Sequence, residues 1–193
     1  MLPRRPLPMV MNPTRQHLSR EFERFALQWP GQAETAREFD RFLGSADDVF
    51  HRSHGFGHFT GSSWLVSADG LRVLLTHHRK LDRWLQLGGH ADGDEDLARV
   101  ALVEAREESG LSGLVLEGGI FDLDRHLIPA RKSDPDHYHY DVRYVVRATD
   151  DERYGVGDES HDLAWRPIEA LVDEPGLDDS VRRMARRWLD RVG

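Results

Sequence analysis

The 193-residue sequence predicts one α/β (α+β) domain, a sandwich with a central mixed sheet and helices around it, preceded by a helical extension. Three observations support this fold class. Apolar residues recur at helical spacing in residues 13–44 and 178–192, and β-type runs occupy 58–87 and 114–165. An acidic helix separates the two groups of β-type runs. The length suits one domain with a sizeable core.

The N-terminal residues, 1–50, predict a leader followed by two helices, and residues 51–193 predict the main domain. Arg4 and Arg5 lie in a proline-rich leader that no apolar segment follows, so it does not resemble a secretory signal. We expect a flexible basic leader. The two helices carry apolar stripes that we expect to pack on the main domain, at Leu18, Phe22, Phe25, Ala36, Phe39 and Phe42.

The main domain predicts strands and helices in a mixed order. The predicted strands are 58–67, 71–77, 84–87, 114–123, 138–147 and 163–165, and the last two helices are 167–171 and 178–192. Ala68, Asp69 and Gly70 indicate a hairpin between the first two strands. The acidic helix is expected to begin near Asp94, with Asp92 or Asp94 as its cap, and to end at Gly110.

The acidic helix carries three glutamates on one side. Glu104, Glu107 and Glu108 are spaced i, i+3 and i+4, which places them within about one turn of each other at about 3.6 residues per turn. They continue the apolar stripe that begins at Leu97 and Val100, whereas a solvated charge run would lie opposite it. Carboxylates that converge on a partly buried site either raise each other's pKa or bind a hard cation such as Mg²⁺ or Mn²⁺.

The residues around this helix resemble a known sequence motif. Gly89, Glu95 and residues 103–111 match eight of the nine specified positions of the Nudix box, G-x5-E-x7-R-E-U-x-E-E-x-G-U, where U is aliphatic. The preceding strand and residues 165–171 resemble the family as well. The resemblance to Nudix hydrolases covers roughly residues 57–175 and implies a Nudix-like α/β/α sandwich.

The resemblance implies hydrolysis of a nucleoside diphosphate linked to another moiety, by attack of water on phosphorus with Mg²⁺ or Mn²⁺ bound. Carried over by position, the metal-binding and catalytic residues are Glu104, Glu107 and Glu108, and Glu159 is the candidate for a fourth ligand or the base. The resemblance gives structural roles to Gly88, Gly89, Glu95 and Gly110.

Val103 occupies the position where the family has arginine, which usually orients the catalytic glutamate through a buried ion pair. Arg99 or Arg106 is expected to compensate. We therefore expect reduced activity. The alternative is a binding or regulatory module that recognises a nucleotide metabolite without turnover, and a third interpretation is an adaptor that binds partners through its N-terminal helices.

Candidate substrate contacts flank the motif. His90 follows the paired glycines and is expected to bind phosphate, as are Arg83 and Arg131, whereas Trp84 is a candidate for base stacking. His139 and the residue two positions before it point to one face of a strand. We nevertheless favour structural or substrate-contacting histidines over zinc, because no spacing requires convergent ligands.

Composition limits the other functions. The absence of cysteine excludes disulfides and thiolate chemistry and suits a reducing, cytoplasmic setting. A net charge of −8 argues against nucleic acid as the main partner, and no apolar run reaches the roughly 20 residues that span a bilayer. We expect a small nucleotide derivative as the partner, and a homodimer is compatible with these features.

Overall fold

The computed structural model describes residues 11–78, 82–131, 135–155 and 160–192. The predictions for the basic leader at 1–10 and for Glu159 lie outside the described residues. In the described part of the chain, no helix combines the length and the apolar character needed to cross a membrane.

Five α-helices and seven strands form the described domain. The helices are α1 (Pro13–Gln28), α2 (Ala33–Leu43), α3 (Leu97–Ser109), α4 (Ile168–Leu171) and α5 (Asp179–Val192). The strands are β1 (Gly57–Val66), β2 (Arg72–His78), β3 (Arg83–Leu85), β4 (Leu87–His90), β5 (Leu114–Ile128), β6 (His137–Ala148) and β7 (Ser160–Pro167). The predicted order of elements is confirmed, with differences at two places.

The strands form one mixed sheet in the order β3-β2-β1-β6-β5, in which β4 also pairs with β1 and β7 pairs with β2. β1 is parallel to β6 along its whole length, from Gly57 opposite Tyr138 to Val66 opposite Arg147. β1 is antiparallel to β4, with Thr60 opposite His90 and Gly61 opposite Gly89. Strands β4 and β6 therefore flank β1 on its two sides.

The N-terminal helices share a core with the sheet. Phe22 and Phe39 pack near Phe59 of β1, and the Phe42 ring stacks on Tyr140 of β6 at a centroid distance of 3.8 Å. Helix α3 contributes to the same core and covers the same face of the sheet. The predicted packing of the apolar stripes is confirmed, and these helices form an integral layer of the sandwich.

Helices α4 and α5 cover the opposite face, which completes the α/β/α sandwich. Met184 and Trp188 of α5 pack with Trp64 of β1 and Val145 of β6 in a second core. At the edge of this core lies a buried ion network. Its central carboxylate, Asp122, accepts hydrogen bonds from the side chains of Arg143, Arg183 and Arg187.

The acidic helix begins later than predicted. Asp96 is its N-cap, because the Asp96 carboxylate accepts a hydrogen bond from the backbone N–H of Arg99 at 3.0 Å. Asp94, the predicted cap, instead accepts from the backbone N–H of Asp96 and forms an ion pair with Arg99. Several aspartates stand close together here, and only the backbone geometry distinguishes the cap from its neighbours.

The strand predicted at 84–87 is two strands. β3 pairs with β2, and β4 pairs with β1, so the chain passes from one partner strand to the other at Gln86. The Gln86 side chain donates a hydrogen bond to Asp141 of β6 at 3.1 Å. The predicted hairpin also has fewer paired residues than expected, because the described register of β1 with β2 pairs Val66 with Val73 alone.

Candidate active site

The end of α3 lies against the paired glycines of β4. Gly110 ends the helix in the left-handed conformation, at φ 70°, and its N–H bonds to the Arg106 carbonyl oxygen. Two residues earlier, the Glu108 carboxylate accepts a hydrogen bond from the backbone N–H of Gly88 at 2.8 Å. This bond fixes one glutamate of the helix to the neighbouring strand.

A second glutamate, Glu104, lies directly over Gly89. A Cβ atom at residue 89 would lie 2.3 Å from the Glu104 Oε1 atom, so any other residue there would force this carboxylate to move. Glu104 and Glu108 are half-buried, and Glu107 is exposed. Glu104 and Glu108 therefore present oxygen atoms at the paired glycines, and carboxylate oxygens are the donors that hard divalent cations such as Mg²⁺ and Mn²⁺ prefer.

Glu95 is held by the N-terminal helix. The buried Arg15 side chain donates from Nε to Glu95 Oε1 at 2.7 Å, and the Asn12 side chain donates to Glu95 Oε2 at 2.6 Å. Arg15 also donates to the backbone carbonyls of Ala46 and Asp47. The sequence analysis missed Arg15, because no local pattern connects α1 with a loop some 80 residues later.

The expected compensation for Val103 is not what the structure shows. The Arg99 guanidinium forms an ion pair with Asp94 at 2.5 Å, toward the loop before α3, and Arg106 donates to the Leu114 carbonyl at 3.4 Å. The Val103 side chain is 37% exposed. Position 103 therefore lies at the surface, and Val103 does not leave a buried cavity that another arginine would have to fill.

Two predicted substrate contacts have partners away from the glutamates. Arg83 is exposed and lies 3.7 Å from Asp178, just before α5. The Trp84 ring lies 5.2 Å from the His77 ring and 5.5 Å from the Arg166 guanidinium. Arg131 is exposed in the loop after β5. The structure does not bring Arg83 and Trp84 together with the three carboxylates.

His90 faces the other side of β4. Successive side chains in a strand alternate, and Gly89 faces Glu104, so His90 projects toward the opposite face. There its ring lies 5.0 Å from His58 of β1 and 4.9 Å from His139 of β6, between ring centroids. His90 therefore belongs to a cluster of histidines on the face opposite Glu104, and its predicted contact with phosphate stays a prediction.

Two members of the cluster, His58 and His139, are neutral imidazoles at pH 7. Burial and the neighbouring histidines disfavour the protonated form, which lowers the pKa of His58 to about 4 and that of His139 to about 2. The rings of His126 and His137 adjoin His139, at 5.4 and 5.3 Å. The only signal for this cluster in the sequence was the alternation of His137 and His139.

The same face of the sheet carries a second group that the sequence analysis missed. The buried Asp141 carboxylate accepts hydrogen bonds from Thr60 and Ser62 of β1, at 2.9 and 2.7 Å, and from Arg143 Nε at 2.7 Å. Because these residues lie on alternate positions of paired strands, their side chains share one face. Asp141 thereby lies between His139 and Arg143 on this face of β6.

Comparison with known proteins identifies the family. The sequence model of the NUDIX domain matches residues 59–189, which is more than half of the chain, so the chain belongs to the NUDIX family. The resemblance inferred from the box is confirmed. The family acts on small nucleotide derivatives and generally uses divalent metal ions, and the chain is a Nudix-type pyrophosphohydrolase.

Solved structures show the same fold. A NUDIX-family hydrolase from Clostridium perfringens has 25% identity and a TM-score of 0.54, covering 70% of this chain and 98% of that one. An Ap4A hydrolase from C. elegans has 14% identity and a TM-score of 0.54, over 69% and 96%. A UDP-X diphosphatase has 14% identity and a TM-score of 0.51, over 92% and 94%. Among curated proteins, none matches this chain.

Proposed function

We propose that this protein hydrolyses the pyrophosphate bond of a nucleoside diphosphate linked to another moiety, with Mg²⁺ or Mn²⁺ held by Glu104, Glu107 and Glu108. One observation supports the proposal above all others. The Glu104 and Glu108 carboxylates are seated against the backbone of Gly89 and Gly88, so their oxygen atoms are positioned before substrate arrives. Preorganised charge is usually the largest contribution to catalysis of this kind.

Each carboxylate has a distinct part in the proposal. Glu108 is oriented by the Gly88 N–H, Glu104 occupies the space that a side chain at residue 89 would fill, and Glu107 is exposed to solvent. The bound cation supplies the positive charge that offsets the diphosphate and the Lewis acidity that favours attack by water. In this proposal the three glutamates determine where the positive charge of the cation lies relative to the diphosphate.

Glu159 remains a prediction as the fourth ligand or the general base. The described loop before it is anchored at the end of α3, since the Gly155 N–H donates to the Ser109 carbonyl at 2.9 Å. A Glu159→Gln variant that loses activity while retaining its metal affinity supports the role of base. Loss of both supports the role of ligand, and full activity contradicts both roles.

The test is hydrolysis by the full chain with Mg²⁺ or Mn²⁺. The panel contains a dinucleoside polyphosphate and a UDP-linked compound, which the names of two structural neighbours suggest, together with ADP-ribose and a damaged nucleoside triphosphate. We expect Glu107→Gln and Glu108→Gln to lower kcat/KM by at least about 100-fold on the preferred compound. Exposed Glu23→Gln on α1 is the matched control. Unchanged activity in both active-site variants contradicts the ligand assignment.

The binding-only alternative rests on Val103. If the parent turns over no compound of the panel but binds one of them, and Val103→Arg restores turnover, the chain is a module that recognises a nucleotide without hydrolysing it. Turnover by the parent excludes this alternative.

A further inference from the structure

Three histidines from three strands face one another on the side of the sheet opposite the glutamates. They are His58 of β1, His90 of β4 and His139 of β6, and one ring nitrogen of each lies within 4.8 Å of those of the other two. His58 is 2% exposed, and the other two are half-buried. The convergence depends on the pairing of β4 and β6 with opposite sides of β1.

Polar atoms of this cluster are buried without a hydrogen-bond partner in the described part of the chain. They are both ring nitrogens of His58 and the Nε2 atom of His139. Leaving a buried polar atom unsatisfied costs about 1–3 kcal/mol, and native structures rarely tolerate several in one place. A neutral imidazole nitrogen that has no hydrogen-bond donor nearby keeps a lone pair that a cation can accept.

We propose that His58, His90 and His139 bind a transition-metal ion, and that Zn²⁺ is the occupant their chemistry favours. Imidazole suits zinc, copper and nickel, whereas Mg²⁺ requires oxygen donors. Zinc–nitrogen bonds of about 2.0–2.1 Å in a tetrahedral site place ligand nitrogens roughly 3.3–3.4 Å apart. A pair of nitrogens at the 4.8 Å limit would therefore move closer by about 1.4 Å when the ion binds.

Two further histidines border the site and complete it. His137 Nδ1 lies 3.0 Å from the Pro135 carbonyl oxygen, which orients the ring and leaves Nε2 as its ligand atom. His126 Nδ1 lies 3.3 Å from an Asp124 carboxylate oxygen. Contacts of this kind hold the second nitrogen of metal-binding histidines. The fourth position around zinc is taken by water or by one of these two rings.

This site is separate from the catalytic cation. The two donor sets lie on opposite faces of β4, and they differ in chemistry, nitrogen on one side and oxygen on the other. Zinc at the histidines cross-links β1, β4 and β6, and thereby holds the strand that carries the paired glycines. The proposal rests on the histidine geometry and stands even if the hydrolysis proposal fails.

The test uses the full chain without an affinity tag, stripped with a chelator and then titrated with Zn²⁺ or Co²⁺. We expect one ion per chain by calorimetry, a higher melting temperature with Zn²⁺, and the visible absorption of Co²⁺ bound to nitrogen. Failure to bind Zn²⁺ at stoichiometric concentration overturns the proposal.

Variants distinguish the two faces. His90→Gln and His139→Gln are expected to weaken Zn²⁺ binding by at least about 100-fold, since even groups that only hydrogen-bond to a metal ligand contribute about 10–100-fold. The exposed His17→Gln on α1 is the control and leaves affinity unchanged. His58→Phe retains a planar ring in the buried position and abolishes the thermal shift. Zn²⁺ affinity that persists in His90→Gln but disappears in Glu108→Gln overturns the assignment.

Discussion

The two faces of β4 carry opposite kinds of chemistry at neighbouring residues. Gly89 lies under the Glu104 carboxylate of α3, and the next residue, His90, joins imidazoles from β1 and β6. One face offers exposed and half-buried oxygen atoms, and the other offers buried nitrogen atoms. The strand alternation that separates them is a property of the backbone alone.

This difference shows why one region has a recognisable motif and the other has none. The glutamates and glycines lie on one helix and the strand before it, so their spacing in the chain reflects their spacing in space. The histidines approach one another only through strand pairing, so their spacing in the chain carries no such information. The following predictions test how independent the two regions are, from the largest expected effect to the smallest.

Arg15→Leu removes the cation that holds Glu95 beside the glutamate helix. The Arg15 side chain is 6% exposed and that of Glu95 is 24% exposed, so we expect a loss of about 3 kcal/mol in the free energy of unfolding. Chemical denaturation measures it. The exposed pair Arg37–Glu34 supplies the control, Arg37→Leu, with an expected change below about 0.5 kcal/mol. Equal losses in the two variants would contradict a specific role for Arg15.

Gly89→Ala tests the carboxylate face through one methyl group. The added Cβ displaces the Glu104 carboxylate, and a shift of about 1 Å in a catalytic group costs about 100-fold in kcat. Steady-state kinetics measures the loss, and Zn²⁺ affinity measures whether the histidine face is affected. Gly55→Ala, where a Cβ meets nothing within 4 Å, is the control. Full activity in Gly89→Ala would show that the position of Glu104 does not limit the reaction.

The pH dependence of stability tests the histidine face in metal-free protein. The pKa of His58 is about 4 in the folded chain, below its usual 6.5, so the unfolded chain takes up more protons between these values. The contribution of His58 to the free energy of unfolding is present in full above about pH 6.5 and falls as the pH drops toward 4. His58 alone accounts for a loss of about 2 kcal/mol in the free energy of unfolding between pH 7 and pH 5. The groups that act on it are His90, His137, Arg52 and Asp92.

Denaturation curves at the two pH values, with chelator present, measure this loss in the parent and in His58→Phe. We expect the variant to lose less stability between pH 7 and pH 5, because it has no buried imidazole to protonate at that position. His17→Gln on α1 retains the slope of the parent. Identical slopes in the parent and in His58→Phe would contradict the role of His58.

Val103→Arg has the smallest expected effect. The position is 37% exposed, so a new guanidinium remains hydrated and orients Glu104 or Glu107 only weakly. We expect kcat/KM to rise by less than about 10-fold, with Zn²⁺ affinity unchanged. A much larger rise would show that the arginine of the family acts from the surface and that the parent is strongly impaired.

The sequence predicted most of the fold and the helix of the Nudix box. Apolar periodicity located α1, α2 and the long strands, and the Nudix box located the helix whose Glu104 and Glu108 lie against the paired glycines. These features depend on residues close together in the chain. The sequence did not predict the N-cap at Asp96 or the break at Gln86, since those depend on which strand each segment pairs with.

What the sequence determined by itself is the class of the fold, the family, and a helix that carries three glutamates on one side. Only the tertiary structure showed that Arg15 holds Glu95 and that His90 turns away from the glutamates toward His58 and His139. The physical reason is the range of the interactions. Helical and strand periodicity are local, whereas partners contributed by separate strands and helices become neighbours only when the sheet has formed and its faces are covered.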